Sequence, residues 1–227
     1  MDIFDRHKDI IGQDKLSVLK KSCVLVAGVG GLGTYVSEQL TRLGVGKLYL
    51  IDNGIVDIPD LNRQTLYIRN SVGKYKVDEA EKRLLSIRED VVIIKDKSKI
   101  DEKFVISDEV NAVALCLDNI RTRLILDEKL KELNKKKGKM IPLVHTGVDE
   151  YLIQIITVDY YKVSDLKSIF FEYEEKKRIN VLPQTVSIAG GLQTLELMNV
   201  LLNRSLLIGK VLQFDLKSFN FEIFNLL

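Results

Sequence analysis

Apolar residues fall along this chain in two alternating rhythms. Leu16 and Leu19 stand at helical spacing between Gln13 and Ser22, which predicts a short helix ahead of the first strand. That strand is Cys23 to Ala27, and its run CVLVA is apolar at every position, as expected of a parallel strand covered by helices on both faces. From Gly31, the residues Leu32, Val36, Leu40 and Leu43 mark one face of a helix stopped by Gly44 and Gly46. KLYLI then rises as a second strand ending at Asp52, completing a βαβ unit. Residues 53 to 73 are irregular. After them Val77, Ala80, Leu84 and Ile87 trace a helix, VVIIK (91–95) and NAVALCL (111–117) two strands, Arg121 to Leu133 a helix and PLV (142–144) a further strand. This alternation predicts an α/β, Rossmann-like, doubly wound and mostly parallel sheet with right-handed crossovers.

Beyond His145 the rhythm changes. LIQIITV (152–158), KVLQF and NFEIF follow one another without the same helical punctuation, which predicts an antiparallel C-terminal extension. An apolar helix is expected from about Val186 to Leu202. The charged, low-glycine segment from Lys162 to Ile179 reads as a mobile loop with some helix. The chain thus divides into an N-terminal helical segment (1–22), a core (23–145) and an extension (146–227) whose mobile loop spans about 160–182.

Composition narrows the classes. At 227 residues and 46% hydrophobic, the chain can bury one full core. Its 34 basic and 32 acidic residues leave a formal charge of +2, which gives no reason to expect a nucleic acid or a membrane as partner. The two cysteines, Cys23 and Cys116, lie in apolar runs and suit a reducing, cytoplasmic location. No apolar run approaches the roughly 20 residues needed to cross a bilayer, and the charged start MDIFDRHKD lacks a signal peptide's apolar core.

Gly28-Val29-Gly30-Gly31-Leu32-Gly33 fits G-x-G-x-x-G directly after a strand and at the opening of a helix. Such glycines let the backbone approach a phosphate, while the helix amino terminus offers unpaired N–H groups and a partial positive charge. Asp52 follows Gly33 by 19 positions, where a carboxylate can accept hydrogen bonds from ribose hydroxyls. Without the rest of the chain, this pair would point to NAD, and the glycines could serve only to pack the helix on the sheet.

The next segment, IDNGIVDIPDLNRQTLYIRNSVGKYKVDEA (51–80), changes that reading. With GVGGLG, LYLID, Asp60-Leu61-Asn62-Arg63-Gln64, Gly73-Lys74-Tyr75-Lys76 and Cys116-Leu117-Asp118-Asn119, the chain resembles the ThiF/MoeB/HesA superfamily, the ubiquitin-activating-enzyme-like adenylating proteins. The likeness covers nearly the whole chain, because GGLQTLELMNVLL is similar to the family's late helix. The resemblance implies ATP and Mg²⁺ as cofactors, with Arg63 and Lys76 on the triphosphate and Asp118 on magnesium. Asn62, Gln64 and Asn119 would orient the nucleotide or the loop. Chemistry supports these assignments: guanidinium grips phosphate oxygens in a fork, lysine supplies a point charge, and Mg²⁺ takes one or two carboxylates plus phosphates and waters. Capping the helix before Ile120 is the alternative task for Asp118.

By the same resemblance the expected partner is a small ubiquitin-like, β-grasp or sulfur-carrier protein ending in Gly-Gly, adenylated on its terminal carboxylate. Relatives are symmetric dimers in which an N-terminal arginine reaches the neighbour's site. Arg6 matches it, with Lys8 close enough to leave the register open. Leu192, Leu195, Leu197, Met198, Leu201 and Leu202 give the late helix more apolar surface than one sheet contact needs, which suits a homodimer. Two further readings within the superfamily are an ATP-dependent tRNA threonylcarbamoyladenosine dehydratase, loosely echoed by Arg6, Gly12 and Leu16, and a non-catalytic scaffold subunit.

The sequence also departs from the family. Asp60 replaces the first asparagine of N-L-N-R-Q and would repel phosphate unless Arg63 or a metal screened it. The cysteine pairs that hold zinc in many relatives are missing, so no zinc is expected. The charged loop has Leu166 and Ser168 where many relatives carry a reactive cysteine, which argues against an enzyme thioester from that loop.

Overall fold

A computed structural model of the chain describes residues 2–138, 140–158, 160, 166 and 180–226. In chain order the elements are α1 (Lys8–Ile11), α2 (Gln13–Lys21), β1 (Cys23–Ala27), α3 (Gly31–Leu43), β2 (Lys47–Ile51), α4 (Lys76–Ile87), β3 (Val92–Asp96) and β4 (Ala112–Leu115). There follow α5 (Ile120–Lys137), β5 (Leu143–Asp149), β6 (Leu152–Val158), α6 (Pro183–Leu201), β7 (Lys210–Asp215) and β8 (Asn220–Asn225). Two 3₁₀ turns, Ile58–Asn62 and Arg69–Ser71, lie in the stretch between β2 and α4.

The strands form one eight-stranded sheet in the order β3-β2-β1-β4-β5-β6-β7-β8. The first five are parallel; β6, β7 and β8 continue the sheet antiparallel. This is the expected α/β sheet with its antiparallel extension. β5 serves both halves, since Leu143 to His145 pair with β4 while its full length pairs with β6. Alternation along β1 explains the unbroken apolar run: Val24 and Val26 join the core beneath α3, α4 and α6, and Cys23, Leu25 and Ala27 join the core beneath α5.

The irregularities are local. The predicted amino-terminal helix is preceded by the separate turn α1, from which Gly12 divides it at φ +89. α5 runs on to Lys137, whose Nζ donates to the Asp108 carbonyl at 2.6 Å and pairs with the Asp108 carboxylate at 3.1 Å. In α6, Leu197 and Met198 are core residues, whereas Leu195 points outward at 52% exposure. The charged loop expected at 160–182 lies mostly outside the described residues. Among the described residues no helix is long and apolar enough to cross a membrane.

Strand order reverses between β1 and β4, so the carboxyl ends of those two strands flank the crevice that this topology leaves open. The loops leaving β1, β2 and β4 all open at that end.

Candidate functional site

The glycine loop leaves β1 with its backbone pinned on several sides. The Gly28 N–H donates to the Ile51 carbonyl at 2.9 Å, the Val29 N–H donates to Asp52 Oδ2 at 2.7 Å, and the Tyr67 hydroxyl donates to the Val29 carbonyl at 2.7 Å. Tyr67 is buried, and that burial, reinforced by the nearby Asp52, Asp60 and Glu79, raises its phenol well above the ordinary value, so it remains a donor.

The glycines divide into two kinds. Gly28 has φ +88, and a Cβ there would stand 2.8 Å from the Cys116 carbonyl; at Gly33 a Cβ would stand 1.9 Å from the Gly28 carbonyl. These two are demanded by close packing of loop, helix and β4, so the packing explanation holds for half of the motif. At Gly30 the nearest atom to an added Cβ would be Gln64 Nε2 at 3.9 Å; at Gly31 it would press on the Val186 side chain at 3.2 Å, with Arg63 Cγ at 3.7 Å. Gly30 also caps α3 without any side-chain hydrogen bond. The first turn of α3 therefore opens beside Arg63 and Gln64, with its amino-terminal N–H groups uncapped by a side chain.

Asp52 sits where β2 ends. Its two oxygens accept from the Val29 and Gly54 N–H groups, each at 2.7 Å. Each oxygen keeps further lone-pair capacity for a ligand hydroxyl. The Lys76 side chain runs past Gly54, where an added Cβ would meet Lys76 Cδ at 3.4 Å, so the lysine stem passes close to Asp52.

The 3₁₀ turn Ile58–Asn62 gathers the other groups. Asp60 Oδ2 accepts from the Asp57 N–H at 3.1 Å, and Asp60 Oδ1 accepts from Gln64 Nε2 at 2.6 Å. The same carboxylate lies 3.4 Å from Lys76 Nζ and 3.7 Å from an Arg63 guanidinium nitrogen. Asp60 thus faces the two cations that the sequence assigns to phosphate. Arg63 Nη1 also donates to the Pro59 carbonyl at 2.9 Å and to Asn62 Oδ1 at 3.0 Å, so Asn62 orients the arginine. Gln64 is buried, and its Oε1 has no hydrogen-bond partner among the described residues. Because a carboxylate only accepts, Asp60 fixes the Gln64 amide with its nitrogen inward. A buried acceptor is left for a donor beside the glycine loop.

Asp118 follows β4. The Cys116 N–H donates to the Ala27 carbonyl at 2.9 Å, which ties this loop to the glycine loop. Asp118 itself is exposed and forms no ion pair with the described residues. It does not cap α5: Asn119 does, accepting from the Thr122 N–H at 2.8 Å. The capping role that was the alternative for Asp118 therefore falls to its neighbour. Asp118 fits magnesium, because it is one free carboxylate at a strand end; no group of three or more potential metal ligands occurs among the described residues, and Mg²⁺ bound with phosphates needs none.

Two residues that sequence reasoning missed hold this arrangement. One is Tyr67, which lay in an irregular stretch with no distinguishing signal. The other is Arg123, buried on the inner face of α5, which donates through Nε to the Leu117 carbonyl at 2.8 Å and so anchors the residue before Asp118. Its Nη1 lies 3.2 Å from His145 Nδ1. Burial first, and Arg123 second, push the His145 pKa well down, leaving that imidazole neutral. The signal was available: Arg123, Leu126 and Leu130 share one helical face, and an arginine on an apolar stripe calls for a buried acceptor.

Arg6 is not near these groups. It lies two residues from Phe4, which packs beside Gly44 and under Lys20 and Arg88, at the end of the sheet where strands begin. Arg6 is exposed there. The site of its own chain is at the opposite end of the strands.

The ThiF family profile matches residues 4–226. The chain belongs to the ThiF family. A probable molybdopterin-synthase adenylyltransferase of Porphyra purpurea is 27% identical, covering 95% of this chain and 57% of that protein. The SAMP-activating enzyme E1 of Haloferax volcanii is 29% identical over 98% of this chain and 84% of its own length. A tRNA threonylcarbamoyladenosine dehydratase of Bacillus subtilis is 41% identical over 40% of this chain and 36% of that protein. The E. coli MccB structure with ATP has a TM-score of 0.80 at 17% identity, covering 99% of this chain and 71% of that one, a likeness of fold. Apart from the Haloferax protein, this ThiF-family chain spans about half the length, or less, of these curated relatives.

Proposed function

We propose that the chain uses ATP to adenylate the carboxyl-terminal glycine of a small ubiquitin-like or sulfur-carrier protein. The terminal carboxylate oxygen attacks the α-phosphorus, the bond to the bridging oxygen breaks, and pyrophosphate departs to leave an acyl adenylate. The observation that carries this reading is that Gln64 and Arg63 stand beside Gly30 and Gly31, with Lys76 joined to them through Asp60, near the point where strand order reverses. Preorganised cations there stabilise the charge that grows on the phosphoryl oxygens and on departing pyrophosphate. Gly30, Gly31 and the first turn of α3 face the phosphates, while Asp52 and the free Gln64 oxygen suit ribose hydroxyls. Asp118 would hold Mg²⁺, which would neutralise phosphate charge.

The test is ATP–pyrophosphate exchange with β-grasp proteins from the same genome that end in Gly-Gly. Exchange that depends on one of them is expected; none with any of them would overturn the proposal. The runner-up, dehydration of a modified tRNA, is favoured by the local 41% identity to the Bacillus enzyme. It predicts ATP hydrolysis stimulated by tRNA and indifferent to β-grasp proteins. The net charge of +2 argues for the protein substrate.

A homodimer completes the proposal. Ile188 and Leu195 of α6 are exposed, at 37% and 52%, and supply apolar surface for a symmetric contact. Arg6, remote from its own site, would serve the neighbour's. Mixing Arg6→Ala with Asp118→Ala subunits should restore part of the activity that each homodimer lacks, because each mixed dimer holds one intact site. No recovery in verified mixed dimers would remove Arg6 from the site.

A further inference from the structure

Asp60 is a carboxylate in the place where an arriving phosphate would need positive charge. It lies 3.4 Å from Lys76 Nζ and 3.7 Å from the Arg63 guanidinium, and it accepts from Gln64 Nε2 at 2.6 Å. Its side chain is 14% exposed, against 16% for Lys76 and 28% for Arg63, so bulk water screens this trio only partly. The carboxylate is also fixed within its own turn, where it reaches back to accept from the N–H of the capping residue Asp57 at 3.1 Å, and is not a freely swinging surface group.

We propose that Asp60 is a built-in counter-ion that sets the nucleotide site's selectivity between free ATP and its magnesium complex. The inference rests on the reading of this site as an ATP site. Two cations face one resident anion, so the field left for a ligand is smaller than Arg63 and Lys76 would give by themselves. Free ATP brings more negative charge than magnesium-bound ATP, and it meets both the weakened cations and direct repulsion from Asp60. The magnesium complex brings its own compensation and is penalised less. Asp60 thereby disfavours unproductive binding of metal-free nucleotide, and it keeps Lys76 and Arg63 aligned before ligand arrives. Adenosine, which has no phosphate, is indifferent to it.

The experiment is titration calorimetry of the full chain and its Asp60→Asn variant with ATP in EDTA, ATP with excess magnesium, and adenosine. The variant is expected to bind metal-free ATP about tenfold more tightly, the scale of one removed charge contact. Magnesium-bound ATP should change by less than about threefold, and adenosine should not change. Raising the salt should shrink the metal-free gain. In a Lys76→Met background the gain should also shrink, because the two sites are coupled. Asp60→Ser, checked by its melting curve, repeats the measurement should the asparagine variant misfold. An equal gain with and without magnesium, or no gain, overturns the counter-ion role and leaves the ATP site standing. Failure of the wild-type chain to bind ATP under any of these conditions overturns the ATP reading and this inference with it.

Discussion

Arg88, at the end of the sheet where strands begin, donates to the carbonyls of Thr41 and Val45 and pairs with Asp90 at 2.9 Å. Arg63, at the end where strands finish, has one nitrogen on Pro59 and Asn62 and another 3.7 Å from Asp60. Arg88 is 6% exposed and closes the turn between α3 and β2, with Phe4 packed beneath its guanidinium. Arg63 is 28% exposed and aligned by residues of its own turn, with its stem beside the glycine loop. One guanidinium is consumed by the fold; the other is oriented and held in reserve. Each arginine has three polar partners among the described residues, so burial, and not charge or partner count, separates the structural arginine from the candidate ligand-binding one. Variants at the two ends should accordingly fail in different ways.

The largest effect is expected at Asp118, which belongs to the reserved end and has no ion-pair partner among the described residues. Asp118→Ala should lower magnesium-dependent pyrophosphate exchange by roughly a thousandfold, the several kcal/mol a metal-held charge supplies. Its melting temperature should move by less than about 2 °C, because the side chain is exposed. Full exchange by this variant would remove Asp118 from the metal. Arg88→Met should do the reverse. It strands two buried carbonyls and is expected to cost about 2–4 kcal/mol, read as a fall in melting temperature of roughly 5–15 °C. ATP affinity of the folded fraction should be unchanged. A nucleotide defect at full stability would place Arg88 in the wrong class.

Next come the cations of the site. Lys76→Ala and Arg63→Ala should each reduce turnover by roughly a hundredfold while adenosine affinity moves little, since in the proposed reaction their charges meet oxygens whose charge grows in the transition state. Steady-state exchange and calorimetry together test this. Equal losses in rate and adenosine affinity would mean that they only shape the pocket.

The parallel half was legible in the sequence because strands buried on both faces leave unbroken apolar runs, as CVLVA does, and because amphipathic helices leave a period, as Val77, Ala80 and Leu84 do. Positions in the motifs were legible for the same local reason: a glycine loop must follow a strand and open a helix. Contacts made by residues distant in sequence were not. Nothing local tells that the Tyr67 hydroxyl crosses to Val29, or that Asn119 and not Asp118 caps α5. Asp60 was visible as a departure, but its neighbours were not: Lys76 reaches it from another element, and only the fold places that ammonium 3.4 Å away.

The smallest expected effect concerns the thiols. Cys116 is buried against Gln193, with Sγ 3.4 Å from Oε1, and burial pushes its pKa up to about 12; burial likewise pushes Cys23 up to about 11. Nearby Arg123 and Lys47 pull the other way but do not offset the loss of water. At pH 8 the thiolate fraction of each is then roughly a thousandth or less, and the thiolate is the nucleophile. These are the chain's two cysteines, so neither is suited to carry an acyl group from the adenylate. Native protein treated with iodoacetamide at pH 8 should keep both thiols by intact mass and retain full pyrophosphate exchange. The same treatment in guanidinium chloride should label both. Rapid native labelling of Cys116 with loss of exchange would contradict this, since it would mean that the loop joining β4 to Asp118 opens often enough to expose a thiol packed against the glycine loop. Cys116→Ala offers the independent check: it should retain exchange and lose only about 1 kcal/mol of stability, the scale of a small buried group removed.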